Sequence, residues 1–175
     1  MSTFVSQQRS FWSIPACAWH HELGDVPSTK TFDLLQIHNT ATYPKKGMPL
    51  GGIGAGNFMF NLCGSFGPWH FKPGRYEERF LAQAAFHVRE EIAGQEVRAY
   101  TLATDDVLPA WPRLKQGDGQ YYALFPRSWF TYDVFTTDIS LQAFSPVIKE
   151  NYRESSLPVA HFTFKLVNRQ QVPAK

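Results

Sequence analysis

The amino-acid sequence predicts an all-β fold, a β-sandwich of antiparallel strands. Three observations carry this expectation. Aromatic residues make up 15% of the chain, fifteen of them Phe, and aromatic rings favour strands and flat packing faces. Apolar and polar residues alternate with period two in several short runs, separated by Gly, Pro, Asp and Asn. No stretch sustains the period of an amphipathic helix. At 175 residues the chain is long enough to bury one real core.

The first 45 residues read as an irregular lead-in draped over the domain, broken by Pro15, Pro27 and Pro44. Cys17, His20, His21 and His38 fall in it. Adjacent histidines point apart in an extended chain and no second cluster completes a site, so a structural role is expected rather than metal binding. Residues 46–175 read as the sandwich portion. It opens on Lys46-Gly47-Met48-Pro49-Leu50-Gly51-Gly52-Ile53-Gly54-Ala55-Gly56-Asn57-Phe58, which packs four of the twelve glycines into six positions. Nucleotide binding fails on detail. No Gly-Lys-Ser/Thr follows, and the spacing is G-x-G-x-G, not G-x-G-x-x-G. With period two, Gly52, Gly54 and Gly56 share the bare face of one extended strand, against which an aromatic ring can lie.

Phe58, Phe60 and Leu62 continue as a strand with one apolar face. Gly64-Ser65-Phe66-Gly67-Pro68 reads as a turn, followed by Trp69-His70-Phe71-Lys72. A strand is expected from about Phe80 to Ile92, with helix the competing reading for Glu77 to Glu91. Ala93-Gly94 turns it into a partner from Val97 to Leu102. Asp105 to Gly119 is a loop. Strands then run from Tyr121 to Phe125, Trp129 to Phe135, Asp138 to Phe144 and Ala160 to Val167, with Pro126-Arg127 and Ser155-Ser156-Leu157-Pro158 as turns.

Composition excludes several functions. A net charge of +2 with no basic run beyond Lys45-Lys46 argues against a nucleic-acid partner. No apolar run is long enough to span a membrane. Ala16-Cys17-Ala18 imitates a signal-peptidase site, but Ser13 and Pro15 break the segment before it, and the chain has no Asn-x-Ser/Thr sequon. A cytoplasmic location is expected. Cys17 and Cys63 match no metal or redox spacing and read as free, buried thiols. No cofactor motif appears.

Three residues stand out as candidate contacts. Trp69 and His70 could stack on a sugar or on a neighbouring domain. Arg127 could clamp a carboxylate, and a structural ion pair, inside the sandwich or with a neighbouring domain, is the plainer role. The acidic pairs Glu77-Glu78, Glu90-Glu91 and Asp105-Asp106 are sequence neighbours whose side chains diverge in a strand, so they read as solvated surface. Retaining glycoside hydrolysis needs two carboxyl groups about 5 Å apart, and nothing here supplies them.

Three segments are more distinctive: Gly47 to Gly56, then Tyr122-Ala123-Leu124-Phe125-Pro126-Arg127-Ser128-Trp129-Phe130-Thr131-Tyr132, then Phe144-Ser145-Pro146-Val147-Ile148-Lys149-Glu150-Asn151-Tyr152-Arg153-Glu154-Ser155-Ser156-Leu157-Pro158-Val159. In that order they resemble the N-terminal domain of glycoside hydrolase family 116, the non-lysosomal glucosylceramidase (bile-acid β-glucosidase) family, from about Lys46 to Asn168. The resemblance implies a β-sandwich that packs on a C-terminal (α/α) barrel. That barrel holds the nucleophile Glu and the acid/base Asp for β-glucoside hydrolysis without a cofactor. No position here matches a catalytic residue of the family. The expected product is a non-catalytic sandwich, incomplete at its C-terminal end, whose partner barrel is encoded elsewhere or lost from this chain. An unpaired edge after the Phe162 strand would leave it marginal alone. The rivals are a free-standing carbohydrate-binding or protein-interaction module and an inactive truncated product.

Overall fold

The computed structural model describes residues 12–25, 47–72, 74–77, 81, 84–105 and 111–175. His38, Glu78 and Asp106, and most of the lead-in, lie outside the described residues. The elements in chain order are β1 (Trp19–Glu22), β2 (Gly47–Gly52), β3 (Gly56–Asn61), β4 (Phe66–Lys72), β5 (Arg75–Glu77), β6 (His87–Glu90), β7 (Arg98–Thr101), β8 (Gly119–Leu124), β9 (Arg127–Tyr132), β10 (Asp138–Phe144), α1 (Tyr152–Ser155) and β11 (His161–Val167). Every paired strand is antiparallel. One sheet runs β1-β8-β9-β10-β11, a second β2-β3-β4-β5, and β6-β7 forms a separate ribbon.

The two larger sheets face each other across an aromatic core. Phe60 of β3 lies 4.9 Å from Phe130 of β9 and 5.2 Å from Phe162 of β11, ring centre to ring centre. Period two puts Tyr121, Phe130, Leu141 and Phe164 in one inward row across β8 to β11. Each fully buried ring or Leu adds about 1.5–3 kcal/mol of hydrophobic stabilisation. Burial pushes the phenols of Tyr121 and Tyr132 far above their usual range, so both stay neutral in the core.

The glycine stretch differs from its expected form. It is a hairpin, not one strand: β2 ends at Gly52, Ile53 to Ala55 turn, and β3 begins at Gly56. Gly54 has φ +74° and Gly56 +104°, a region that side chains with a Cβ rarely adopt. The glycines therefore serve the turn, and their period-two spacing is incidental. The second turn is also shifted. Gly67 and Pro68 lie inside β4, and Leu62 to Ser65 make the reversal, held by the buried Asn61 side chain. Asn61 Oδ1 accepts from the Cys63 N–H at 2.9 Å, and its Nδ2 donates to Ser65 Oγ at 2.9 Å.

The lead-in contributes more than cover. Its β1 pairs with β8, and Trp12 lies on the outer face of the five-stranded sheet with Lys165 Nζ 4.0 Å from its ring centre. His20 and His21 do point apart: His20 stacks on Tyr122 at 4.5 Å and reaches Gln120, whereas His21 meets Asp25 at 3.0 Å. Both cysteines are free, Cys63 buried as expected and Cys17 exposed, contrary to expectation. The strand expected over Phe80 to Ile92 is shorter, His87 to Glu90, and the Ala93-Gly94 turn stands where the sequence puts it. Before β11 sits one helical turn, α1, its Glu154 N–H capped by Asn151 Oδ1 at 3.1 Å.

Candidate functional site

One end of the sandwich combines exposed apolar side chains with a pocket. Register brings three connections to this end: the β2–β3 turn, the β8–β9 turn and the long β10–β11 connection. They are tied firmly together. Ser145 Oγ accepts from the Gly51 N–H at 2.7 Å and donates to the Val159 carbonyl at 2.7 Å. The Ile53 N–H donates to the Ser155 carbonyl at 2.8 Å. Gly52 is needed at this junction, because a Cβ there would sit 2.2 Å from the Ser156 carbonyl oxygen. Ser155 Oγ accepts from the Ile148 N–H at 2.9 Å, closing the connection on itself.

On this braced frame Ile53, Phe125, Val147, Ile148, Tyr152 and Leu157 are all exposed, Tyr152 by 78%. Exposed apolar side chains on a firm backbone make this end a candidate docking surface. Arg127 stands beside them on β9, exposed, with its guanidinium carbon 5.5 Å from the Phe144 ring centre. Phe144 in turn stacks on His161 at 5.0 Å. Among the described residues Arg127 has no acidic partner within the sandwich, and its contact there is the cation–π one with Phe144.

The pocket lies at the β4–β5 corner of the same end. Leu50, Phe58, Trp69 and Glu77 are direct cross-strand neighbours, so they share the core-facing side of the four-stranded sheet. Burial fades along that row: Leu50 is fully buried, Phe58 and Trp69 are half-buried, and Glu77 is exposed. The opposite sheet runs out before the row does. Among the described residues this leaves a pocket of about 440 Å³ lined by Trp69, Phe71, Lys72, Arg75 and Glu77. The Trp69 and Phe71 rings stand 5.3 Å apart at 39°, and Phe71 is 64% exposed.

Trp69, His70 and Arg127 do not come together. Trp69 lines the pocket, His70 is on the other face of β4 by strand alternation, and Arg127 belongs to the other sheet. Phe71, Lys72 and Arg75 were not singled out in the sequence, and Glu77 was read only as solvated surface, which its exposure fits. Pro73-Gly74 was the available signal, since a hairpin there folds Arg75 back opposite Lys72.

Of the acidic pairs, Glu78 and Asp106 lie outside the described residues, and two of the described members are not solvated surface. Glu90 is buried, with its carboxylate accepting from the N–H groups of Thr136 at 3.0 Å and Thr137 at 2.7 Å. Burial opposes its ionisation, yet those bonds and the nearby Arg98 outweigh it and hold its pKa below the usual carboxylate value. Asp105 accepts from Ser65 Oγ at 2.5 Å. Glu91 pairs with Arg89. Among the described residues no group of three or more His, Cys, Asp or Glu could hold a metal ion.

The family model described as beta-glucosidase 2, glycosyl-hydrolase family 116 N-term, matches residues 47–175. That span takes in both the apolar end and the pocket. The chain belongs to glycosyl-hydrolase family 116, as its N-terminal domain. The match begins at the first residue of β2 and runs through the last strand, so the family 116 unit includes both sheets apart from β1. Among the described residues no helix is long and apolar enough to cross a membrane.

Proposed function

We propose that this chain is the non-catalytic N-terminal sandwich of a family 116 β-glucosidase, seated through its apolar end on a catalytic (α/α) barrel. The observation that carries the reading is the exposed apolar surface on the hydrogen-bonded β2–β3 and β10–β11 connections. Both connections are segments through which the sequence resembles the family. The described carboxylates suit a structural part. Glu90 and Asp105 hold turns, and Glu77 lies on another strand. Retaining hydrolysis takes a carboxyl pair about 5 Å apart, and the barrel would contribute both members.

The sandwich's part is then to hold the barrel and to form one wall of the approach to its sugar site. The substrates would be β-linked glucosides, glucosylated lipids such as glucosylceramide among them, without a cofactor. Two free cysteines suit a reducing, cytoplasmic setting. The unit that docks is residues 46–175 together with β1.

Hydrolysis of a chromogenic β-glucoside tests this, with the chain alone, a family 116 barrel alone, and the two mixed. The expected result is silence from the chain alone and at least tenfold more activity from the mixture than from the barrel. Activity from the chain alone would overturn the non-catalytic reading. A barrel equally active with or without the chain would overturn the supporting role.

A further inference from the structure

We propose that the β4–β5 corner pocket binds a carbohydrate directly, with a pyranose ring against Phe71 and Trp69 and its hydroxyls bonded by Lys72, Arg75 and Glu77. The site stands on its own geometry and does not depend on barrel docking. Phe71 is the starting point. It lies on the core-facing side of the four-stranded sheet, yet it is 64% exposed. An apolar ring left in water on a strand end is stabilised by any occupant that covers it. Trp69, half-buried 5.3 Å away and tilted 39° to it, extends the apolar wall.

The rim selects the occupant. Lys72 and Arg75 face each other across the β4–β5 hairpin, and Glu77 faces Trp69. The two cations only donate hydrogen bonds and the carboxylate only accepts them. Sugar hydroxyls do both, so one ligand satisfies all three groups at once. A phosphate would meet the Glu77 carboxylate at close quarters, and a purely apolar chain would strip water from three charges with nothing in return. A pyranose with equatorial hydroxyls has an apolar C–H face for the rings and a polar edge for the rim. The volume, about 440 Å³, falls within the ~300–1,000 Å³ of small-molecule sites.

The pocket shares an end with the apolar surface: Lys72 and Arg75 flank the β4–β5 turn, and His70 pairs with Asn57 beside the β2–β3 turn. A sugar held there is well placed to extend toward a docked catalytic domain.

The test is a titration of the 175-residue chain with cellobiose, followed by calorimetry and by the indole NMR signal of Trp69. Saturable binding that shifts that signal is expected. Phe71→Ala should weaken it at least tenfold and Glu77→Gln about threefold, with thermal melts unchanged, because both side chains are exposed. Inorganic phosphate should not compete. No saturable cellobiose binding to a folded chain would overturn the proposal. So would binding indifferent to Phe71→Ala, or displacement by phosphate. If the Phe71→Ala chain melts early, Glu77→Gln and Arg75→Gln decide: unchanged affinity in both would overturn the site.

Discussion

The two ends of the sandwich are built from the same kind of connection and treat their apolar side chains in opposite ways. At the far end, Leu23 after β1, Leu62 after β3, Leu114 before β8 and Phe135 after β9 are all buried. The turns there are bonded to one another. The Gly24 N–H donates to the Leu62 carbonyl at 3.1 Å, Gly117 to Leu23 at 3.0 Å, Thr104 to Cys63 at 2.9 Å, and Asp133 to Asp118 at 2.8 Å. At the near end the connections are also cross-bonded, through Ser145 and Ile53, but Phe125, Ile148, Tyr152 and Leu157 face outward. The far-end turns of the two large sheets bury their apolar side chains, although Leu166 and Val97 beside them are exposed and a pocket of about 260 Å³ opens at Ile139 and Leu166. The near end has cross-bonded connections too, and on the reading proposed above its exposed apolar side chains are where a catalytic barrel would sit.

Substitutions at the two ends should have effects of different size. The largest effect is expected at the far end, from Glu90→Ala. It leaves the Thr136 and Thr137 N–H groups unpaired beneath the β9–β10 turn, and should cost about 3 kcal/mol in urea unfolding. Gly52→Ala at the near end should cost about 2 kcal/mol, because the new Cβ meets the Ser156 carbonyl and the connection must move. Ser145→Ala removes the bridge between Gly51 and Val159 and should cost about 1–2 kcal/mol. Tyr152→Ala should change unfolding by less than about 0.5 kcal/mol, since the ring touches mainly water. Its expected effect is on assembly. A near end whose surface residues mattered as much to stability as Glu90 would erase the contrast.

Acid should distinguish the ends as well. The Glu90 pKa is lowered on folding, so its contribution is full above the unfolded value of 4.5 and fades as pH falls through the lower folded value. Melting temperature measured against pH should therefore drop on the acid side of 4.5, and Glu90→Gln should flatten that drop. Ser145→Ala should shift the whole curve down without changing its shape.

Legibility in the sequence followed how local the determining physics is. Strands β10 and β11 were readable because inward residues such as Leu141 and Phe164 alternate with more polar neighbours, and β8 and β9 because two aromatic runs flank Pro126-Arg127. Trp19 to Glu22 was not readable, since this edge strand is largely exposed and its residues show no alternation. The glycines were misread because period two fits a strand and a hairpin flank equally, and only the φ angles at Gly54 and Gly56 separate them. Glu90 looked like surface beside Glu91. Its role depends on a turn 46 residues further along the chain. The pocket depends on where the opposing sheet stops, and the row Leu50, Phe58, Trp69 carries no mark of that limit.

The most direct test of the central claim is hydrogen–deuterium exchange on the chain, free and mixed with a family 116 catalytic barrel. Added protection is expected at 52–55 and 146–159, with 62–65, 115–118 and 133–137 unchanged. Protection at the far end instead, or none at the near end in a mixture that assembles, would contradict that claim.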